Sequence, residues 1–206
     1  MSQTVCIDPG HGGKYPGNYN FGVLEKDVVL DVGMRVGHYV RLMSREQDSN
    51  TSRIQTVLPR TVDRTVSIAQ RVAIAQAHHC DLLVSIHTNS FPLSSANGSE
   101  VWISAGGYYR QMSTRVATNI LTRLGALGFR TRGVKRDSKL GRFHNGIPVL
   151  RGFNRVGPAV LVELGFASNE HDARLLNDHG SREIIAIQLA AAIIEHYGMD
   201  PRWELV

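Results

Sequence analysis

LLVSIHTNS, at residues 82–90, is a short apolar run that ends in a histidine and further polar residues. An apolar stretch of this length predicts a β-strand, and its near-continuous apolar character predicts burial on both faces, as in a parallel sheet. Four other runs have the same character: Thr4–Ile7, Ile54–Leu58, Glu100–Ile103 and Ala159–Val162. We therefore predict that these five strands form one largely parallel sheet.

Longer segments with helical spacing separate these runs. Valine recurs every fourth residue from Val28 to Val40, as on one face of a helix, and acidic residues suited to a first turn precede it. Three further helices are predicted at Val66–Ala77, Arg110–Leu127 and Ser181–Tyr197. Strands that alternate with helices predict the α/β fold class, with a twisted, largely parallel sheet flanked by helices on both faces.

The chain length of 206 residues corresponds to a single domain. We place this domain at residues 1–198, followed by a short C-terminal tail at 199–206. The least regular stretch is Arg132–Arg155, which is rich in Gly, Arg and Lys. Irregular loops of this length usually have a function, so we expect a functional role for this one.

Composition excludes several classes of protein. Hydrophobic residues make up 42% and charged residues 20% of the chain, which is ordinary globular usage and excludes disorder. Cys6 and Cys80 are interpreted as free, buried thiols, so a disulfide scaffold is excluded. The longest apolar stretch, residues 184–194, is shorter than the roughly 20 residues of a membrane span. No signal peptide is visible at the start of the chain.

The formal net charge of +5 suits an anionic partner such as a bacterial cell-wall polymer. The arginines are scattered and no basic run is interleaved with aromatic residues, so nucleic acid is not expected as a partner.

Four polar residues are expected at one edge of the predicted sheet. His11 follows the first strand, His87 the third and Glu163 the last, and Glu25 opens the first helix. The carboxyl ends of parallel strands meet at one edge, where ligands bind. Three ligands of the His and Glu type can hold a catalytic zinc ion and leave one position open, and the remaining carboxylate can then move protons. The residues alone do not decide which of the two carboxylates, Glu25 or Glu163, binds the metal and which transfers protons.

Each of these residues has an ordinary structural role when it is taken alone. A histidine at a strand end is more often a hydrogen-bonded core residue, and a glutamate in a first helical turn usually acts as a cap. The coincidence of all four at one edge favours a site. His144, in the irregular stretch, is a further candidate. The other histidines are interpreted as structural or surface residues: His38, His78, His79, His171, His179 and His196.

Eight segments, in this order along almost the whole chain, resemble a known family. They are IDPGHGG (7–13), LEKDV (24–28), RTVSIAQRV (64–72), LVSIHTNS (83–90), GSEV (98–101), RGVK (132–135), PAVLVELGF (158–166) and SNE (168–170). The ordered set resembles the zinc-dependent N-acetylmuramoyl-L-alanine amidases of the Amidase_3 type, which include phage and prophage endolysins. The resemblance implies hydrolysis of the amide between N-acetylmuramic acid and L-alanine in peptidoglycan.

The resemblance also divides the roles at the sheet edge. It implies that His11, Glu25 and His87 bind one Zn²⁺ ion and that Glu163 is the catalytic carboxylate. Asn89 is a candidate for hydrogen bonding to the substrate, its alternative role being to end the strand. Arg151 is a candidate partner for a stem-peptide carboxylate, its alternative being a solvated side chain.

Some members of this family carry a long inhibitory insert after the strand that ends here near Ile103. Only Ser104–Tyr109 separate this strand from the next helix, so we expect no built-in inhibition of that kind. The loop at Arg136–Pro148 is longer than the family pattern. We expect a monomer that is made in the cytoplasm and released to the wall, as a phage lysin is, or else the catalytic domain of a secreted protein.

Two other functions stay open at this point. One is a zinc peptidase or another amide hydrolase that uses the same group of residues on a different substrate. The other is a non-catalytic wall-binding module on an amidase scaffold.

Overall fold

The computed structural model of the chain describes residues 3–46, 51–139 and 146–206. The strands are β1 Gln3–Pro9, β2 Tyr19–Asn20, β3 Val23–Leu24, β4 Ile54–Val57, β5 Leu82–Asn89, β6 Ser99–Ile103, β7 Thr131–Arg136 and β8 Ala159–Phe166. The α-helices are α1 Glu25–Met43, α2 Ile68–Ala77, α3 Arg110–Ala126, α4 Pro148–Phe153, α5 Glu170–Asn177 and α6 His179–His196. Two short 3-10 helices lie at Asp137–Lys139 and Trp203–Leu205.

Six strands form one sheet in the order β4-β1-β5-β8-β6-β7. The first four of these are mutually parallel, and β6 and β7 run parallel to each other but antiparallel to β8. The carboxyl ends of β1, β5 and β8 therefore lie at the same edge as the amino end of β6. Residues at the start of β6 thus meet residues that leave the other three strands.

Helices cover both faces of the sheet. On one face, α1, α3 and α6 pack on the sheet and on one another around the larger apolar core, which contains Val32, Ile120 and Ile193. On the other face, α2 and α4 cover a smaller core that contains both cysteines. This architecture confirms the predicted α/β fold class. Cys6 and Cys80 are free and buried, as predicted.

Local signals explain where the helices begin. The Ser67 side chain accepts a hydrogen bond from the backbone N–H of Gln70, and the Gln70 side chain accepts one from the Ser67 N–H, a capping box that starts α2 two residues inside the predicted segment. The Asp178 side chain caps α6 by accepting from the Ser181 N–H.

The prediction of one irregular loop over Arg132–Arg155 is wrong in part, because β7 and α4 lie within it. The β7 sequence TRGVKR has three charged residues, Arg132, Lys135 and Arg136, and the strand lies at the edge of the sheet. Charged edge strands resist pairing with other chains, and for the same reason they do not look apolar in a sequence.

After α6 the chain returns toward the end of α1, where the Arg202 N–H donates to the Met43 carbonyl oxygen. The Arg123 guanidinium lies over the Trp203 ring. The domain boundary at residue 198 stays a prediction. Within the described ranges, no helix is both long and apolar enough to cross a membrane.

Candidate metal centre and active site

The structure brings His11, Glu25 and His87 together. Their nearest nitrogen and oxygen atoms all lie within 4.8 Å of one another. Glu25 Oε1 lies 3.3 Å from His11 Nε2 and 3.0 Å from His87 Nδ1. The two imidazole rings are edge to face, with centroids 5.0 Å apart. Three separate elements, namely the loop after β1, the start of α1 and the end of β5, supply these side chains.

These separations fit a metal ion held by three protein ligands. Zinc bonds of about 2.0–2.1 Å in a tetrahedral site place ligand atoms roughly 3.3 Å apart. The two distances to Glu25 Oε1 are close to this value. Two imidazoles and one carboxylate are also a donor set that catalytic zinc sites use, with one position left for water or substrate. The residues present therefore fit zinc.

Glu25 is held on both of its oxygens. Oε2 accepts hydrogen bonds from the Asn18 backbone N–H at 3.0 Å and from Asn18 Nδ2 at 2.8 Å, and Oε1 accepts one from the Thr88 N–H at 3.0 Å. Burial raises the pKa of the Glu25 carboxyl. Hydrogen bonds with His11 and His87 outweigh this effect and hold the pKa well below its ordinary value. Glu25 is thus an oriented carboxylate, as metal binding requires.

His11 lies in a strained turn that two buried arginines hold. Its φ of 55° is left-handed, which a non-glycine residue adopts only when its surroundings impose it. Arg71 Nη2 donates to the His11 carbonyl oxygen at 2.5 Å and Arg71 Nη1 to that of Pro9 at 2.6 Å. Arg60 Nη2 donates to the Gly10 carbonyl oxygen at 2.7 Å. The backbone of the turn that presents His11 is therefore held in place by hydrogen bonds from two arginine side chains.

Arg71 is itself oriented by Asp8 on β1. Arg71 Nη1 lies 2.5 Å from Asp8 Oδ1, and Ser85 on β5 donates to Asp8 Oδ2 at 2.8 Å. Arg71 and Asp8 are both nearly fully buried. This buried pair links α2, β1 and the His11 turn, and removal of either partner would leave an uncompensated buried charge.

Two glycines make room for the ligands. A Cβ atom at Gly10 would lie 2.3–2.7 Å from three ring atoms of His87. A Cβ atom at Gly17 would lie 2.5 Å from Glu25 Oε2, and the φ of Gly17 is +75°. At both positions the backbone lies so close to a candidate ligand that only glycine, which has no Cβ atom, can be accommodated.

The three ligands open into a cavity of about 810 Å³, within the usual range for ligand sites. Glu163 on β8 lines this cavity and pairs in register with His87 on the neighbouring strand β5. Much of the remaining wall is apolar: Ile68, Trp102, Ile147, Val149, Leu161 and Phe166. A carboxylate thus lies beside the three candidate metal ligands, in a cavity whose remaining wall is largely apolar.

The other predicted site residues have different positions. Asn89 lines the cavity, but its Nδ2 donates to Glu100 Oε1 at 3.0 Å and its Oδ1 accepts from the Ser90 N–H at 2.9 Å. Arg151 is exposed and lines a separate depression beside Tyr109, so the substrate contact expected of it stays a prediction. His144 lies outside the described residues.

Sequence reasoning missed a charged pair in the cavity wall. Glu100, at the amino end of β6, is buried, and Arg132 Nε on β7 donates to its Oε2 at 2.9 Å. Trp102 Nε1 donates to Glu100 Oε1 at 3.1 Å. The Arg132 guanidinium lies 4.8 Å from the centre of the Phe166 ring. The sequence did contain a signal, because Glu100 belongs to the GSEV segment and Arg132 to the RGVK segment. The direction of β6, which places Glu100 in the cavity wall, was not predictable.

Comparison with known proteins identifies related chains. The sequence model of the Amidase_3 family, described as N-acetylmuramoyl-L-alanine amidase, matches residues 5–195. N-acetylmuramoyl-L-alanine amidase LytC of Bacillus subtilis is 34% identical over 96% of this chain. This chain spans only 36% of the length of LytC. The endolysin of Bacillus phage SPP1 is 31% identical over 95% of this chain and 66% of the phage protein.

A solved structure supports the same relationship. Amidase AmiC2 of Nostoc punctiforme superposes with a TM-score of 0.78 at 29% identity and covers 97% of this chain and 99% of its own.

Proposed function

Because the chain belongs to the Amidase_3 family of N-acetylmuramoyl-L-alanine amidases, we propose that it hydrolyses the amide between N-acetylmuramic acid and L-alanine in peptidoglycan, with one zinc ion held by His11, Glu25 and His87. The observation that carries this proposal is the convergence of these three side chains in a cavity that Glu163 also lines. A metal-assisted hydrolase needs this combination of a three-ligand site with a neighbouring carboxylate.

Zinc, when bound, supplies Lewis-acid chemistry: it polarises a carbonyl group and makes water more acidic. Glu163 is the general base that takes a proton from the attacking water. The same carboxyl then donates this proton to the alanine nitrogen as the C–N bond breaks, so that the amine leaves as a neutral group. The atoms balance, because water supplies the hydroxyl of the new carboxylic acid and the proton of the new amine.

The surrounding residues prepare this reaction. Asn18 and Thr88 hold the Glu25 carboxylate, and Arg71 holds the His11 turn, so the ligands need little rearrangement. Apolar side chains such as Leu161 and Val149 exclude water from the cavity wall. Electrostatic interactions at the reacting carbonyl are stronger in such surroundings than in bulk water.

The proposed place of action is the bacterial cell wall, whose anionic polymers attract a chain of net charge +5. Only six residues, Ser104–Tyr109, join β6 to α3, too few for an inhibitory insert, and we therefore expect the described domain to be active without an activator. The SPP1 relative is an endolysin, and release from a phage-infected cell or secretion would both bring the domain to this substrate.

Digestion of purified peptidoglycan, with and without a chelator, tests the proposal through the new amino termini. We expect N-terminal alanine to appear, the chelator to stop its release, and added zinc to restore it. New termini on other stem residues would instead support a peptidase. No new termini from a preparation with bound zinc would support a non-catalytic wall-binding module.

A further inference from the structure

A second groove adjoins the catalytic cavity. It has a volume of about 420 Å³ and shares Ser90 and Phe91 with the cavity. We call it the side groove, and it is lined chiefly by Asn20, Phe21, Ser90, Phe91, Ser94 and Ser168. One wall comes from the β2–β3 hairpin and the other from the loop that follows β5. A ligand that extends beyond the cavity on this side therefore enters the side groove.

Hydrogen bonds fix the two walls. Asn20 Nδ2 donates to Ser90 Oγ at 3.1 Å across the groove, and the Phe91 N–H donates to Ser168 Oγ at 2.9 Å. The carbonyl oxygen of Phe21 accepts from Asn177 Nδ2 at 2.9 Å. Phe21 itself has a left-handed φ of 45°, an unfavourable conformation for an aromatic residue. The bond from Asn177 holds the backbone of Phe21 at the tip of the hairpin.

The chemistry of the side groove differs from that of the catalytic cavity. Phe21 and Phe91, one on each wall, are 57% and 51% exposed, and exposed apolar residues that lie together in a groove can mark a binding site. The other lining residues offer neutral hydroxyl and amide groups, and none of the described residues that line the groove is charged. The catalytic cavity, in contrast, contains Glu25, Glu100, Arg132 and Glu163.

Aromatic faces next to neutral hydrogen-bonding groups suit a sugar. The C–H groups on one face of a pyranose ring carry partial positive charge and pack on the negative face of an aromatic ring. Serine hydroxyls and an asparagine amide can bind the hydroxyl and acetamido groups at the ring edge. The stem peptide carries carboxylates, for which this groove offers no cation, so the glycan strand is the part of the polymer that fits.

We propose that the side groove binds the glycan strand of peptidoglycan next to the muramic acid whose amide is cleaved, with Phe21 and Phe91 as its stacking residues. This inference rests on the proposed amidase function. It makes the domain selective for muramoyl peptides within a longer glycan, because a single sugar cannot occupy the cavity and the groove together.

Three substrates with the same stem peptide test the inference: N-acetylmuramoyl peptide, the disaccharide peptide, and a tetrasaccharide that carries the peptide on one muramic acid. We expect kcat/KM to rise on the order of tenfold from the shortest to the longest glycan, as two stacking contacts supply. The double substitution Phe21→Asn with Phe91→Ala removes both rings, and asparagine tolerates the positive φ. We expect this variant to lose the glycan-length gain, measured as the ratio of kcat/KM on the longest substrate to kcat/KM on the shortest.

Two further variants serve as controls. Phe21→Tyr with Phe91→Tyr keeps both aromatic faces and is expected to keep the gain, and so is Tyr108→Ala, which removes a 91% exposed aromatic residue outside the groove. A length gain that survives the double substitution would overturn the inference and leave the amidase function intact. In a parallel series with one glycan and stem peptides of increasing length, loss of the peptide-length gain in that variant, with the glycan gain retained, would assign the groove to the peptide. Failure of the wild type to cleave any of the substrates would overturn both.

Discussion

Glu100 and Glu163 are cross-strand partners in the antiparallel pairing of β6 with β8, so two carboxylates lie on adjacent strands of one cavity wall. Their surroundings differ. Asn89, Trp102 and Arg132 all donate hydrogen bonds to Glu100. Glu163 has a different neighbour on its other side, where it pairs in register with His87, one of the predicted metal ligands. We therefore expect Glu163 to act at the reacting bond and Glu100 to orient the wall.

Glu163→Gln is expected to lower kcat at least about 10³-fold, because an amide cannot accept the proton of the attacking water. The bound zinc content is expected to stay the same, since His11, Glu25 and His87 are untouched. Release of alanine amino groups from peptidoglycan and metal analysis of the same preparation check the two expectations. Unchanged hydrolysis would refute Glu163 as the base.

Glu100→Gln is expected to act through substrate binding. The amide oxygen can still accept a hydrogen bond, but the charge that pairs with Arg132 is lost, so we expect kcat/KM to fall about tenfold, mainly through KM. Steady-state kinetics on a muramoyl peptide measure this. A fall in kcat as large as that of Glu163→Gln would mean that the roles of the two carboxylates are exchanged.

Gly10→Ala is expected to weaken zinc binding by at least about tenfold. The added methyl group would lie 2.3–2.7 Å from the His87 ring, so the ring must move away from the other ligands. Competition with a chromogenic chelator measures the affinity. Gly106→Ala is the matched control, since its added Cβ would have no atom within 4 Å. Equal affinities in the two variants would show that His87 does not need its observed position.

The strand ends were predictable because buried strands are apolar and the residues that follow them are not. This is why the position of His11, His87 and Glu163 at one edge of the sheet could be predicted from the sequence. Asn18 was missed because it precedes a hairpin of two-residue strands, too short to leave a periodic signal.

The charged pair Glu100–Arg132 was missed for a different reason. Arg132 lies on β7, an edge strand whose charged residues resemble those of a loop. Glu100 begins a strand that was recognised, but only the antiparallel direction of β6 places it beside Glu163. Strand direction depends on how α3 and the sheet pack, and no local pattern encodes that.

Arg71→Lys is expected to destabilise the domain and to weaken zinc binding together. Lysine has no planar fork, so it cannot bind Asp8 and the carbonyl oxygens of Pro9 and His11 at once. Each buried acceptor that is left unsatisfied costs about 1–3 kcal/mol of unfolding free energy. Denaturant unfolding with and without zinc measures both effects. Arg64→Lys is the control, because within the described ranges the Arg64 side chain donates only to the Pro59 carbonyl oxygen. Because zinc binding stabilises the folded state, weaker binding must also reduce the stabilisation that added zinc gives. A lysine variant that is less stable in the absence of metal but gains as much from zinc as the wild type would show that Arg71 supports the fold and not the position of His11.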